Sequence, residues 1–402
     1  MRTVWMWVLI AGTCSAAMAG QVGVLEPVAG DFLAPDMRAG APISSQTFLV
    51  AQGKPGIVNP KAVLAAFTPP GRKLLVAVDS DDAQASAPNL LRFDFSGQGD
   101  FANAPTVPLK SDRSGRYSSD RATITADLNG RPTPVTVTVP VYVRSGAQRY
   151  MYIQLSMAAA GDCRFGDQVR PVAVVDRDGN LSLGDAVRPL DQSGPSRQAK
   201  GDMLLVGEPG GALAGAAWHY LGSPLKVGDR WYLVKVDPAS LQVTAEAVDL
   251  ATGLIQIAHD HWNGTLVGKQ YVLRLSGSKE PVEAPVGRYY LSVYQETASA
   301  DGGQQATLNV QRTRPPRDAG LFEVAAGRTV QVAAGSPVKW AAKPTVRGRD
   351  VTFDLETVDN SGATNTEVAV QLTDASGRPQ VPKLVVKDAA GQVVHQGTFE
   401  FG

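Results

Sequence analysis

The sequence predicts an all-β protein made of tandem antiparallel β-sandwich modules, with hairpins that turn at acidic, glycine-containing loops. Apolar runs of about four to eight residues, rich in β-branched side chains, recur along the chain between Gly, Pro, Asp and Asn. The 402 residues include 41 Gly and 27 Pro. Only residues 60–67 show a short helical pattern. A chain of this length and spacing is too long for one small sandwich and indicates several modules.

The N-terminal 19 residues have the pattern of a secretory signal peptide. Arg2 precedes an apolar core at residues 4–10, and small residues lead to Ala19, after which we expect cleavage. The apolar core is too short to span a bilayer, so we expect no transmembrane span in the mature chain. Lipid attachment at Cys14 is the alternative, although the residues before it fit a lipobox poorly. The protein is therefore expected to be secreted, periplasmic or held at the cell surface.

Changes of composition along the chain predict a series of modules. The segment 312–317 contains two consecutive prolines and three arginines and is interpreted as a linker. Within the first large module, the alternating run 134–140 is expected to pair with residues 149–155. The predicted divisions are a signal peptide at 1–19, an N-terminal arm at 20–66, a β-rich domain with acidic hairpin repeats at 67–212, a β-sandwich module at 213–312 and an immunoglobulin-like β-sandwich at 318–402.

One phrase occurs twice near the middle of the chain. The two copies are GDCRFGDQVRP at 161–171 and GNLSLGDAVRP at 179–189. An apolar run and an acidic turn separate them, which predicts a hairpin. Looser acidic glycine turns occur at residues 94–101, 112–117 and 127–130, where Asp or Asn side chains are expected to fold back onto turn amides.

The turn between the two copies is the strongest candidate for a metal site. Asp176, Asp178 and Asn180 place oxygen-bearing side chains at alternate positions, and Asp185 follows, as in calcium-binding loops. Gly at the fourth position and Val187 at the twelfth depart from the helix-loop-helix calcium pattern. A plain hairpin turn without an ion is the competing interpretation. Calcium is the cofactor that the sequence favours, and no other is indicated.

A second metal hypothesis concerns histidine. If His259 and His261 lie on a strand they share a face, so both could approach one zinc ion, with His219 as a third ligand. The alternative is that they are surface or structural histidines.

Aromatic residues between positions 218 and 290 raise the possibility of sugar recognition. Trp218, Trp231 and Trp262 could stack on sugar rings if they were exposed in one plane. The alternative is that they fill sandwich cores, as large apolar side chains usually do.

Residues 281–294 contain the phrase PVEAPVGRYY followed by an alternating run. This stretch resembles the hairpin of carboxypeptidase-regulatory-like and related prealbumin-type modules. The resemblance implies a small non-catalytic β-sandwich in this part of the chain.

The charges limit the function classes. The chain has 38 Lys and Arg against 38 Asp and Glu, so nothing favours nucleic acid or an acidic lipid surface. We therefore expect an exported, non-catalytic structural or adhesive protein, stabilised by calcium, whose partners are cell-surface proteins or polysaccharides. The alternatives are a carbohydrate-binding or sensory accessory protein and, third, a metal-dependent enzyme that uses His259 and His261.

Overall fold

The structure is a computed structural model that describes most of the chain between residues 21 and 398. The signal segment, with Cys14, and the linker residues after 312 lie outside the described residues. The described ranges are 21–29, 42–45, 48–51, 53–67, 73–113, 116–128, 130–145, 148–187, 201–299, 305–312, 320–336 and shorter stretches from 339 to 398.

All long regular elements in these ranges are β-strands. The first are β1 (Gln21–Val24), β2 (Glu26–Val28), β3 (Pro42–Ser45), β4 (Phe48–Val50), β5 (Val63–Phe67), β6 (Leu74–Asp79), β7 (Leu90–Asp94) and β8 (Thr106–Pro108). They are followed by β9 (Lys110–Ser111), β10 (Arg116–Ser118), β11 (Ala122–Leu128), β12 (Arg131–Ser145), β13 (Gln148–Phe165), β14 (Gln168–Val175), β15 (Met203–Val206) and β16 (Ala217–Tyr220). Next come β17 (Leu225–Val227), β18 (Arg230–Val236), β19 (Gln242–Val248), β20 (Thr252–Gln256), β21 (Trp262–Gly268), β22 (Val272–Gly277), β23 (Val282–Pro285) and β24 (Gly287–Ser299). The last are β25 (Gln305–Arg312), β26 (Phe322–Val324), β27 (Thr329–Gln331), β28 (Lys339–Arg347), β29 (Asp350–Val358), β30 (Val368–Thr373), β31 (Lys383–Lys387) and β32 (Val393–Thr398).

The predicted fold class is confirmed, since antiparallel sheets pack face to face as tandem sandwiches around separate cores. The short helical pattern at residues 60–67 was misleading, because β5 occupies most of it. Across the described ranges, no helix has the length and hydropathy that a membrane crossing needs.

The first sandwich packs sheet β4-β5-β6-β7-β8 against a sheet containing β12 and the first half of β13. Its core contains a continuously apolar strand and an alternating strand. Strand β6 is a continuous apolar run ending in an aspartate, and it is buried throughout. Strand β11 alternates, so Ile124, Ala126 and Leu128 face inward. The predicted pairing of residues 134–140 with 149–155 is confirmed, with Val137 opposite Leu155.

Strand β13 connects the first sandwich to the second. Its N-terminal half pairs with β12, and its C-terminal half, from Ala158 to Phe165, pairs with β14. In the second sandwich, sheet β16-β15-β14-β13 covers sheet β17-β18-β19-β1. The two sandwiches therefore share one 18-residue strand.

The third sandwich packs β20, β23 and β27 against a larger sheet of β21, β22, β24, β25, β26 and β30. Its core contains Trp262, Tyr289 and Tyr294. The stretch that resembles a prealbumin-type hairpin forms β23 and β24. These strands pair in different sheets, and the resemblance itself stays a prediction.

The predicted module boundaries differ from the sheets. Strands β1, β2 and β3 of the predicted arm pair with β19 or β13, so these described parts of the arm belong to the sandwiches. The boundary at 212/213 falls between β15 and β16, which pair with each other. Strands β26, β27 and β30 follow the predicted linker, yet they pair with β24, β20 and β25. Pro and Arg interrupt a strand locally, whereas antiparallel pairing joins strands that are distant in sequence.

Candidate metal centre

The candidate site lies where β14 ends and β15 begins. These strands are antiparallel, with Val175 opposite Met203. Asp176 follows β14 directly and Asp202 precedes β15 directly, so the register brings the two aspartates across from each other at the sheet edge. Two negative charges in this position repel each other, so a fold that places them there needs other interactions to offset the repulsion.

The structure brings three carboxylates together. Asp176, Asp178 and Asp202 each offer an oxygen, and these three oxygens all lie within 4.8 Å of one another. Asp176 and Asp202 are each 0% exposed, and Asp178 is half-buried. We call these three residues the acidic cluster. No other group of three His, Cys, Asp or Glu side chains with such ligand spacing occurs in the part of the chain that the structure describes.

Asp176 organises the turn that follows it. Its Oδ1 accepts hydrogen bonds from the backbone N–H of Gly179 at 2.7 Å and of Asn180 at 3.3 Å, and its Oδ2 accepts one from Leu181 at 2.8 Å. Gly179 has a φ of 73°, which glycine adopts without cost. Leu181 has a φ of 61°, a region that ordinary L-residues avoid. The turn is thus held in a strained form by one buried carboxylate and by the packing of its leucine.

Asp202 is only half satisfied. Its Oδ2 accepts hydrogen bonds from the backbone N–H of Gly184 at 2.7 Å and of Asp185 at 3.0 Å. Its Oδ1 is buried and has no hydrogen-bond partner. A buried polar atom in this state costs about 1–3 kcal/mol relative to a satisfied one, and more when it carries charge.

The electrostatics of the cluster are unfavourable without a cation. Burial, followed by the charge of Asp178, raises the pKa of Asp176 well above its usual range, and three turn amides only partly oppose this effect. Burial, followed by the charge of Asp176, likewise raises the pKa of Asp202. Within the described residues, neither buried carboxylate forms an ion pair with Lys, Arg or His. The site therefore holds either protons or a bound cation.

The structure brings part of the sequence-based ligand set together. Asp176 and Asp178 belong to the cluster, but Asn180 and Asp185 bind each other, with the Asn180 Nδ2 donating to Asp185 Oδ2 at 2.5 Å. The Asn180 Oδ1 accepts from the backbone N–H of Ser182 at 2.7 Å. These two residues brace the loop through this hydrogen bond, and Asp202 joins Asp176 and Asp178 in the cluster. The second strand of the expected hairpin is not found at residues 181–187, the described residues that follow the turn.

The loop after Asp176 touches all three sandwiches. Leu181 lies in the core of the first, and Leu183 lies in the core of the second. Val187 packs on a buried cluster of the third that includes Val267 and Val272. We call residues 176–187 the junction loop. The acidic cluster lies at its start, so whatever neutralises the cluster also fixes the loop.

The other acidic turns are built differently. The buried Asp94 accepts from the N–H of Ser96 and Gly97 at Oδ1 and from that of Gly99 at Oδ2. Asp127 accepts from Gly130 in a shorter version of the same turn. In these turns backbone amides satisfy the carboxylate, and neither aspartate belongs to a group of three acidic ligands among the described residues. Their recurrence therefore reflects turn chemistry.

The histidines do not assemble a metal site among the described residues. His259 lies in a bend after β20, where its Nε2 is 3.0 Å from the Ala334 carbonyl oxygen and 3.4 Å from Glu296 Oε2. His261 is exposed. His219 lies on β16, where burial lowers its pKa to about 4. The expected strand that would align His259 and His261 is absent, because both precede β21.

The tryptophans are used mainly in packing. Trp231 is 6% and Trp262 2% exposed, so their faces cannot stack on a sugar. The Trp262 Nε1 donates to the Ser278 carbonyl oxygen at 3.0 Å. Trp218 is half-buried, and the Arg274 guanidinium carbon lies 3.7 Å from its ring centroid. These three indoles do not form one exposed aromatic platform.

Sequence reasoning missed Asp202, although a usable signal was present. The apolar run before Asp176 and the apolar run after Asp202 mirror each other, as expected of two antiparallel neighbours with acids at one edge. Asp176 and Asp202 are far apart in sequence, so their pairing cannot be recognised from a local pattern.

Comparison with known proteins gives no family assignment: no protein-family model, no curated protein and no solved structure matches this chain.

Proposed function

We propose that the chain is an exported, non-catalytic structural or adhesive protein, whose acidic cluster binds one calcium ion and thereby stabilises the joint between its sandwiches. The unpartnered, fully buried Oδ1 of Asp202 beside two further carboxylates is the observation that carries the proposal.

The donor chemistry and the spacing favour calcium. All three candidate ligands are carboxylate oxygens, which hard cations prefer. Oxygens on opposite sides of one calcium ion are about 4.6–5.2 Å apart, because each Ca–O bond is about 2.3–2.6 Å. The cluster oxygens all lie within 4.8 Å of one another, so they are close enough to share one calcium ion. Magnesium requires near-ideal octahedral geometry and gives up its water ligands reluctantly, so a site built from protein carboxylates suits calcium better.

The placement of the cluster favours a structural role. The junction loop carries Leu181 into one core and Leu183 into another, and Val187 reaches the third sandwich. An ion that neutralises the loop's first residue would therefore stabilise the contacts of three modules together. An adhesive or structural protein gains from such a joint, since its modules must keep a fixed geometry.

Export and a non-catalytic role are inferred from separate observations. Export is inferred from residues 1–19, whose pattern is that of a signal peptide. A non-catalytic role agrees with the complete burial of Asp176 and Asp202, which leaves only the half-buried Asp178 partly exposed to solvent. The proposed partners at a cell surface are proteins or polysaccharides.

Thermal unfolding with calcium, with magnesium and with a chelator tests the proposal. Calcium is expected to raise the midpoint of the parent protein, and the double variant Asp176→Ala/Asp178→Ala is expected to lose this response. Asp94→Asn is the matched control, because Asp94 is also a buried turn carboxylate but lies outside the cluster. This control is expected to lower the midpoint equally in calcium and in chelator.

Limited proteolysis at the junction loop provides a second measurement. Calcium is expected to slow cleavage between residues 176 and 187 in the parent and not in the double variant. A parent protein whose midpoint and cleavage rate ignore calcium would contradict the proposal.

A further inference from the structure

The third sandwich contains a cavity of about 240 Å³ between its two sheets. The larger sheet contributes Leu291 and Tyr294 from β24 and Val310 from β25, and Phe322 lines it from β26. The segment after β27 closes the other side. The wall combines apolar side chains with polar groups, which include Gln331 at the end of β27, as in sites that orient small organic ligands.

One charged side chain, that of Arg312, lines the cavity. Strand β25 alternates, so Leu308, Val310 and Arg312 face inward and are only 4%, 5% and 8% exposed. The inward position of Arg312 was not expected, because the sequence places it in a linker. Arginine is rarely buried to this extent unless an anion is paired with it.

Arg312 has no such anion among the described residues. Its Nε donates to the Leu291 carbonyl oxygen at 3.3 Å, a long hydrogen bond to a neutral acceptor. No carboxylate of the described residues lies within ion-pair distance of its guanidinium. Gly320 lies against the guanidinium with a φ of 93°, and a Cβ at this position would be 3.1 Å from one terminal nitrogen. The glycine keeps this side of the guanidinium free of side-chain atoms.

We propose that the cavity binds a small amphipathic carboxylate, with its carboxylate on the Arg312 guanidinium and its hydrocarbon part between the two sheets. The fork of guanidinium N–H groups matches the two oxygens of a carboxylate, and a charge-assisted pair in a poorly hydrated site is stronger than a neutral hydrogen bond. The apolar side chains of the wall favour a ligand with a hydrocarbon part over an inorganic anion.

The cavity volume sets the size of the ligand. At about 30 Å³ per water molecule, the cavity has room for about eight water-sized groups. Hexanoate has a matching number of non-hydrogen atoms and is the probe that we choose. 1-Hexanol has the same chain without the charge and is the matched comparison.

Isothermal titration calorimetry of the whole chain, with calcium and with chelator, tests the inference. Hexanoate is expected to bind at least about tenfold more tightly than 1-hexanol, and decanoate more weakly than hexanoate because it exceeds the cavity. Arg312→Gln is expected to abolish the preference for the acid, whereas Arg312→Lys keeps part of it. Arg328→Gln, at an exposed position of the same sandwich, is the control and is expected to bind as the parent does.

Comparing hexanoate with 1-hexanol in the parent protein tests whether the cavity prefers a carboxylate, even if a variant fails to fold. Equal binding of hexanoate and 1-hexanol, or no hexanoate binding, would overturn the inference. Full hexanoate affinity in a folded Arg312→Gln protein would overturn it as well. Calcium dependence separates this site from the acidic cluster, because hexanoate binding is expected to be the same with and without calcium.

Discussion

Asp202→Asn separates the electrostatic account of the acidic cluster from a purely structural one. Asparagine keeps a carbonyl oxygen to accept from the backbone N–H of Gly184 and Asp185. It also places an NH₂ group where the unpartnered Oδ1 now lies. The substitution therefore removes one charge and supplies a donor beside Asp176, with almost no change of volume.

The expected magnitude follows from the spacing. Two full charges no more than 4.8 Å apart repel by at least about 3 kcal/mol at an effective dielectric constant of about 20, and proton binding by the cluster lowers this repulsion. Weaker hydrogen bonds to a neutral oxygen return about 1 kcal/mol of this gain. Without calcium, Asp202→Asn should therefore be more stable than the parent by about 2 kcal/mol.

Calcium should offset the destabilising effect of the parent's extra charge. For a dissociation constant of about 10⁻⁴–10⁻³ M, as in extracellular modules, about 10 mM calcium stabilises the parent by about 1.4–2.7 kcal/mol. The variant has lost a ligand and should gain almost nothing. At about 2–4 °C per kcal/mol, both effects shift a thermal midpoint measurably.

Differential scanning calorimetry at pH 7.5 in chelator and in calcium measures both effects. The account expects a higher midpoint for the variant in chelator and a calcium response only in the parent. A variant that is less stable in chelator would show that its charge is not under repulsion. A variant that keeps the full calcium response would remove Asp202 from the site.

Three further predictions follow from the same contacts. Burial raises the pKa values of Asp176 and Asp202, so the metal-free folded chain binds more protons at the acidic cluster than the unfolded chain does. The free energy of unfolding should therefore fall as pH rises above the ordinary Asp pKa. Thermal midpoints measured over a pH series should show this slope, and calcium should flatten it. Asp202→Asn is the reference protein for this pH series. The buried His219, whose pKa is about 4, makes stability rise with pH below about pH 6.5. This contribution is the same in both proteins, so it cancels when they are compared. Leu181→Ala and Leu183→Ala should each cost about 2–5 kcal/mol in thermal or urea unfolding, and a cost under about 1 kcal/mol would show that the junction loop does not fill the cores. Ser223→Ala removes the acceptor of the buried Val272 N–H at 3.2 Å and should cost about 1–3 kcal/mol, with faster proteolysis between the second and third sandwiches; unchanged stability and cleavage would contradict that contact.

The fold class could be predicted from the sequence because strand patterns are local. A continuous apolar run such as β6 and an alternating run such as β11 can be recognised from the sequence pattern alone. The grouping of strands into sandwiches could not be predicted in the same way. Strand β13 serves two sheets, and β30 pairs with β25 across more than fifty residues, which no local composition records.

The candidate site was predicted only in part for the same reason. Asp176 and Asp178 are close in sequence, and their spacing indicated an ion. Asp202 enters through the pairing of β14 with β15, which is a tertiary fact. Arg312 shows the opposite failure: its chemistry predicted exposure, but strand alternation placed it inward.

The most direct test of the central claim is a calorimetric titration of the chelator-treated chain with calcium, in two buffers of different ionisation heat. The account predicts one ion per chain, release of protons on binding, and no binding to Asp202→Asn. Proton release is expected because the buried carboxylates must ionise fully to hold the ion. A parent chain that binds no calcium at about 10 mM, or whose binding survives unchanged in Asp202→Asn, would contradict the assignment of the acidic cluster as a calcium site.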